Sequence, residues 1–190
     1  MEPTPKPSIA NIVFLVNLGC EVDLKSVANN AKEKRHGDIE YNPNVFPGIV
    51  FRSSAPKFTM SIFHSGKIIC TGLKTEKTID AAIDSLMDRF SKLGCFIDRK
   101  IITYSLKNIV ASVQLPAKVN LDILAMECEN TEYEPEQFPG LVLRLGDLNT
   151  VALIFHSGKM IITGAKTVDD VNESASSAEK IISEFDGFIN

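Results

Sequence analysis

The chain has 190 residues, 44% hydrophobic and 23% charged, with a formal net charge of −4, which is the composition of a globular domain and excludes disordered and fibrous classes. No apolar run approaches the roughly 20 residues of a membrane span, and the opening MEPTPKPS lacks the apolar core of a secretory signal, so a soluble, intracellular protein is expected. The acidity argues against indiscriminate phosphate binding, yet it is unevenly spread, residues 1–100 carrying +3 and residues 101–190 carrying −7.

A Pro-rich stretch, residues 1–7, is expected to be a flexible N-terminus. Residues 11–18 then alternate as a strand, and Asp23 can cap a short helix running through Leu24, Val27 and Ala28. Four further strand-like runs follow, around Tyr41 and at 49–52, 58–63 and 67–71. A long helix comes next, with Thr75 as its expected N-cap. Ile79, Ala82, Ile83, Leu86, Met87, Phe90 and Leu93 lie on one face, and Gly94 is placed to stop it. The cysteines Cys20, Cys70, Cys95 and Cys128 form no C-x-x-C pair and read as reduced core thiols, so neither zinc nor disulfides are implied.

The same order then repeats. The segment of 36 residues from Glu40 aligns without gaps on the segment from Glu132, with 19 identities, and upstream the strand at Asn11 aligns on that at Asn108. The two alignments differ in offset by five residues, which places an insertion in the first copy within residues 32–38. In the second copy Thr167 caps the long helix, Val171, Ala175, Ala178, Ile182 and Phe185 face inward, and Gly187 is the expected stop. Residues 8–99 and 100–190 therefore read as two repeats that together make one pseudo-twofold domain.

Ten strands and two long helices predict an α+β fold, a curved antiparallel sheet with the helices on one face. Along 67–71, Ile68 and Cys70 share one face while Lys67, Ile69 and Thr71 share the other. Val151, Leu153 and Phe155 alternate in the same way with Ala152 and Ile154. Both faces are apolar, but only one can take helices. A contiguous apolar surface left open is a binding site in expectation.

Three motifs occur twice at one spacing: E-Y-x-P-x-x-F-P-G, I-F-x-S-G-K and T-G-x-K. In these the chain resembles the TATA-binding proteins of archaeal and eukaryotic transcription initiation, over about residues 8–188. The resemblance implies a saddle of two pseudo-symmetric repeats whose concave ten-stranded sheet sits on the DNA minor groove, with helices on the convex face. This family is also a standing example of side-chain wedging between base steps. The wedges fall on Phe46 and Phe63 in the first copy and on Phe138 and Phe155 in the second. Asn11 and Asn108 match the central asparagines, whose amides suit acceptors that A·T and T·A pairs present alike. Val13, Val110, Ile69 and Ile161 match residues against the groove floor, and Thr71 and Thr163 add central hydroxyls. Arg52, Arg144, Lys67, Lys159, Ser65 and Ser157 match phosphate-facing positions, which fix register without reading sequence. Glu134, Glu136 and Gln137 match the loop that receives a transcription factor B homologue, through which RNA polymerase is recruited. That loop is acidic in the second copy alone.

Some positions depart from the family pattern. Ser61 stands where its counterpart is Leu153, His64 and His156 sit beside the wedge phenylalanines, where they are expected to flank phosphates, and the Pro-Lys turn of residues 55–57 is replaced by Asp147, Leu148 and Asn149. As an enzyme, the chain would have to use H-S-G-K as a phosphate loop, but the lysine enters an apolar strand rather than a helix. No catalytic set or metal cluster stands out, so no activity, cofactor or metal is expected. The other reading is a ligand- or peptide-binding module with an apolar concave sheet. The expected location is the cytoplasm, on the nucleoid of an archaeon, or the nucleus if the source is eukaryotic.

Overall fold

The computed structural model describes residues 6–189, so the expected N-terminal stretch lies outside the described residues except for Lys6 and Pro7. The chain divides into two compact units, one spanning Asn11–Lys107 and the other comprising the described residues up to Ala10 and from Asn108 on. The first unit contains β1 (Ser8–Asn17, which starts just ahead of it), α1 (Leu24–Glu33), β2 (Ile39–Tyr41), β3 (Gly48–Ser54), β4 (Lys57–Phe63), β5 (Lys67–Leu73) and α2 (Ile79–Lys92). The second contains β6 (Thr103–Gln114, whose first five residues fall in the first unit), β7 (Lys118–Val119), α3 (Leu121–Glu127), β8 (Thr131–Glu132), β9 (Gly140–Leu145), β10 (Thr150–Phe155), β11 (Lys159–Ala165), α4 (Val168–Glu184) and β12 (Phe188–Ile189). The fold is thus α+β, with two repeats and ten strands of antiparallel sheet, five from each repeat. Strand order is β2-β3-β4-β5-β1 in the first and β6-β11-β10-β9-β8 in the second. The pairing of β7 with β12 is an addition.

Helix ends follow from local chemistry. The Asp23 carboxylate accepts from the amides of Lys25 and Ser26, both at 3.1 Å, as expected of an N-cap. Thr167 makes a full capping box: its hydroxyl accepts from Asp170 N at 3.0 Å, and the Asp170 carboxylate accepts from Thr167 N at 2.9 Å. Thr75 does not do the same. Its side chain caps nothing, and a 3-10 turn, Glu76–Thr78, precedes α2. The physical reason is at the third position, where Thr78 replaces the carboxylate of Asp170 and turns its own hydroxyl back onto Thr75 O at 2.8 Å.

At the other end, Gly94 takes φ +78°, and a Schellman pair closes α2, Gly94 N to Ser91 O at 3.0 Å and Cys95 N to Phe90 O at 2.9 Å. The stop of α4 falls one residue earlier than expected: Asp186 holds the left-handed position at φ 49°, and Gly187 follows it, its amide bonded to Ile182 O at 2.8 Å. The inserted residues of the first repeat lengthen α1 to 10 residues against 7 in α3 and build the turn that follows. Arg89 of α2 pins that turn through Asp38, 2.5 Å away.

In each unit the strands send alternate side chains into a core. Ile12, Phe14, Val16, Ile49, Phe58, Met60, Ile62, Ile68 and Cys70 are closed to solvent in the first, with the α2 stripe Ile79, Ala82, Ile83, Leu86 and Phe90. The second core gathers Val113, Leu141, Leu143, Ala152, Ile154, Met160 and Ile162 with Ala175, Ala178 and Ile182 of α4. Among the cysteines, only Cys70 fits the expectation of a core thiol. Cys20 is exposed and Cys95 and Cys128 are partly so, because they sit in the turns after strands and helices rather than within them. Among the described residues no helix is long and apolar enough to cross a membrane.

Candidate nucleic-acid interface

The complementary alternates define an open face on each unit. In β5, Ile69 is 41% exposed whereas Ile68 and Cys70 are fully buried, so the two-residue period separates the faces as the sequence required. Val13, Thr71, Ser61 and Phe63 are half-buried on the same side as Ile69, and Val110, Ile161, Thr163, Leu153 and Phe155 are their counterparts in the second unit. The side chains on this side stay half-buried or exposed, whereas their alternates on the opposite face are closed to solvent.

Each open face ends in a phenylalanine pair. The rings of Phe46 and Phe63 lie 5.6 Å apart at 58°, and those of Phe138 and Phe155 lie 5.7 Å apart at 68°, within the range of favourable tilted packing. Phe46 and Phe138 come from the loops ahead of β3 and β9, whose turns close by Phe46 N to Asn42 O and Phe138 N to Glu134 O, both at 2.9 Å. The glycine of F-P-G makes room for the pair. A Cβ on Gly48 would stand 2.9 Å from the Phe46 ring, and one on Gly140 would stand 2.8 Å from Phe138 and 3.0 Å from Phe155. Phe138 remains 38% exposed, and the pair is an apolar ridge rather than part of the core.

Asn11 and Asn108 lie beside irregularities in β5 and β11, where one extra residue interrupts the ladder. The side-chain oxygen of each accepts the amide thereby released, Gly72 N for Asn11 and Gly164 N for Asn108, both at 2.7 Å. With the oxygen so engaged, the NH2 group is the part left to donate. That of Asn108 lies 3.2 Å from Thr163 Oγ1, which joins two of the expected site residues.

Arg52 and Arg144 are exposed, but neither is unpaired: Arg52 reaches Glu40 at 2.8 Å and Arg144 reaches Glu132 at 3.0 Å. The glutamate of E-Y-x-P is therefore the cross-strand partner of the arginine on the next strand. At such exposure the pair adds little stability, and its effect is to hold the guanidinium beside the open face. Lys67 and Lys159 begin β5 and β11, and Ser65 and Ser157 precede them in exposed turns. The glycine amides of these turns are used internally, Gly66 N to Phe63 O and Gly158 N to Phe155 O, both at 2.9 Å, so they form no phosphate cradle. The rings of His64 and His156 are held from behind, each Nδ1 lying 3.0 Å from the carbonyl of Val22 or Val119. Glu134, Glu136 and Gln137 are exposed on the loop before Phe138, and Gln137 donates to the Glu134 carboxylate.

A family model described as transcription factor TFIID, or TATA-binding protein, matches residues 6–93 and 103–185. The chain belongs to the TATA-binding protein family. It is 40% identical over 187 residues to a TATA-box-binding protein of Aeropyrum pernix, covering 98% of this chain and 89% of that one. It is 43% identical over 172 residues to one of Methanococcus vannielii, covering 90% and 89%. Among solved structures it resembles Methanococcus jannaschii TBP with a TM-score of 0.85 at 39% identity, covering 95% of this chain and 99% of that one.

For a TATA-binding protein the open face also holds residues the sequence reading passed over. Leu15 and Ser112 follow Val13 and Val110 at the two-residue period, and Val50 and Val142 lie directly opposite Ser61 and Leu153. Period two from Val13 would have found the first two. The valines become visible only once strand register is known. Among the described residues no group of three or more His, Cys, Asp or Glu side chains is arranged to hold a metal.

Proposed function

We propose that the chain is a general transcription initiation factor that binds TATA-box DNA through the minor groove and bends it. The observation that carries this reading is the open apolar face of each unit, ending in a phenylalanine pair with a glycine beneath it. Membership in the TATA-binding protein family and the names of its archaeal relatives support it. Unstacking a base step exposes flat apolar surface, which a phenyl ring can cover at a cost of a few kcal/mol repaid by wider contact. Asn11 and Asn108 would donate to adenine N3 or thymine O2. Val13, Val110, Ile69 and Ile161 would lie on the groove floor, where a guanine amino group would lose water without gaining an acceptor. Thr71 and Thr163 would add hydroxyls between them.

Phosphate contacts are assigned to Arg52, Arg144, Lys67, Lys159, Ser65 and Ser157, with His64 and His156 flanking. An exposed arginine can share its guanidinium between glutamate and phosphate cheaply, since the ion pair it starts from is weak. The acidic loop Glu134, Glu136 and Gln137 would receive a basic surface of a transcription factor B homologue and, through it, RNA polymerase. The protein would then work on the nucleoid of an archaeal cell, without enzymatic activity or cofactor. Competition between an A/T-rich and a G/C-rich duplex in a mobility-shift assay tests the reading. Strong preference for the A/T-rich duplex is expected. Equal binding, or none, would refute it and favour a ligand- or peptide-binding sheet instead.

A further inference from the structure

Each open face carries a row of four side chains across its strands, and the two rows differ only in order. In the first unit Leu15 lies opposite Ile69, Ile69 opposite Ser61, and Ser61 opposite Val50. In the second, Ser112 lies opposite Ile161, Ile161 opposite Leu153, and Leu153 opposite Val142. Leucine, isoleucine, serine and valine occur once in each, but leucine and serine have exchanged places about the central isoleucine. None of the eight belongs to the buried core, and all are half-buried or exposed. Core packing therefore does not dictate either order, and the exchange conserves the apolar content of each face while moving its one polar position by two strands.

We propose that Leu15 and Ser61, with Ser112 and Leu153, are specificity-determining residues that make the two units tolerate a G·C pair at different places in their stretches of groove. The inference rests on the minor-groove reading given above. A leucine against the groove floor strips water from a guanine amino group and offers it no acceptor. A serine Oγ accepts from that amino group, and can equally donate to adenine N3 or thymine O2. The tolerant position in the first unit then lies under β4, where Ser61 stands, and the intolerant one under β1. In the second unit the tolerant position lies under β6, where Ser112 stands, and the intolerant one under β10. A duplicated scaffold thereby acquires two unlike half-site preferences without any change in side-chain inventory.

The test uses the full chain and a set of duplexes in which each A·T pair of an A/T-rich site is replaced singly by G·C, with affinities measured by anisotropy competition. The exchange variant Leu15→Ser with Ser61→Leu gives the first unit the order of the second, and Ser112→Leu with Leu153→Ser does the reverse. For the unaltered chain, penalties of about 5- to 100-fold are expected where leucine faces the pair and much smaller ones where serine does. Each exchange variant should move the tolerated pair within one half-site only, each penalty being taken relative to that variant's own affinity for the parent duplex, with an unchanged melting temperature. Penalty profiles identical to the unaltered chain in both variants would overturn the proposal. So would a lowered melting temperature in both, which would show the row to be packing rather than reading. An unaltered chain indifferent to all G·C replacements would instead overturn the groove reading on which the proposal stands, a result the variants are not needed to see.

Discussion

Single residues in this chain are set by what lies directly behind them. Cys70 is fully buried in β5, and burial pushes its thiol up to about 12, because the water the thiolate would lose outweighs the backbone hydrogen bond that Thr71 offers it. Cys20 carries the same chemistry in an exposed turn. Brief alkylation of the native protein at neutral pH, read by mass spectrometry of peptides, should label Cys20 first and leave Cys70 unmodified until denaturant is added. Labelling of Cys70 at the rate of Cys20 would show that the β5 faces are reversed. The phenylalanine ridge was legible from sequence because F-P-G and I-F-x-S-G-K recur, and the clearance of Gly48 and Gly140 beneath the rings explains the glycine in the first motif. The pairing of Arg52 with Glu40 was not legible. It joins residues 12 apart that meet only because β2 and β3 pair in one particular register, and nothing in either local segment specifies that register.

Elements that align in sequence end differently when one contact changes. Thr75 and Thr167 are equivalent, yet only Thr167 caps, because Asp170 completes the box and Thr78 cannot. Thr167→Ala should lower stability by about 1 kcal/mol, whereas Thr75→Ala should leave it nearly unchanged, as measured by urea unfolding. Asp170 adds a pH dependence. Its carboxyl is held below the usual aspartate range, first by the Lys166 amide and then by the Thr167 hydroxyl. A group with a depressed folded-state pKa stabilises above its unfolded pKa, and that contribution is lost as the pH falls through the lower folded value. Asp170→Asn should therefore reduce the loss of stability on acidification below about pH 4. A steeper acid loss in the variant would contradict the box. The Phe-Ile dipeptide that follows each long helix makes the same point. Phe188 and Ile189 pair with β7, while Phe96 belongs to no strand and stays 80% exposed. Sequence identity predicts equal fates, and the presence of a strand partner distinguishes them.

For the molecule as a whole, the repeat makes the fold legible in the sequence, since two copies of one strand order with one helix stripe each admit few arrangements. The charge asymmetry is legible in the sequence, +3 against −7 for its two parts, and the proposed partner loop lies in the acidic part. Glu134→Arg with Glu136→Arg should leave binary binding to an A/T-rich duplex intact and abolish most recruitment of a transcription factor B homologue. Ternary complex formation at moderate salt that survives the double substitution would remove the loop from the partner surface. The order of leucine and serine across the open faces was only half legible, since Ser61 stood out in alignment but Leu15 needed the strand register to be placed opposite Ile69.

The proposed function requires that the open faces grip a duplex and that the phenylalanine pairs deform it. The most direct measurement is energy transfer between dyes at the two ends of an A/T-rich duplex, titrated with the unaltered chain and with Phe63→Ala and Phe155→Ala. A saturable rise in transfer is predicted for the unaltered chain. Each variant should show a smaller rise and an affinity weaker by about 1 to 3 kcal/mol, with its melting temperature in the absence of DNA unchanged. Binding with no change in transfer, or transfer undiminished when either ring is removed, would contradict the account.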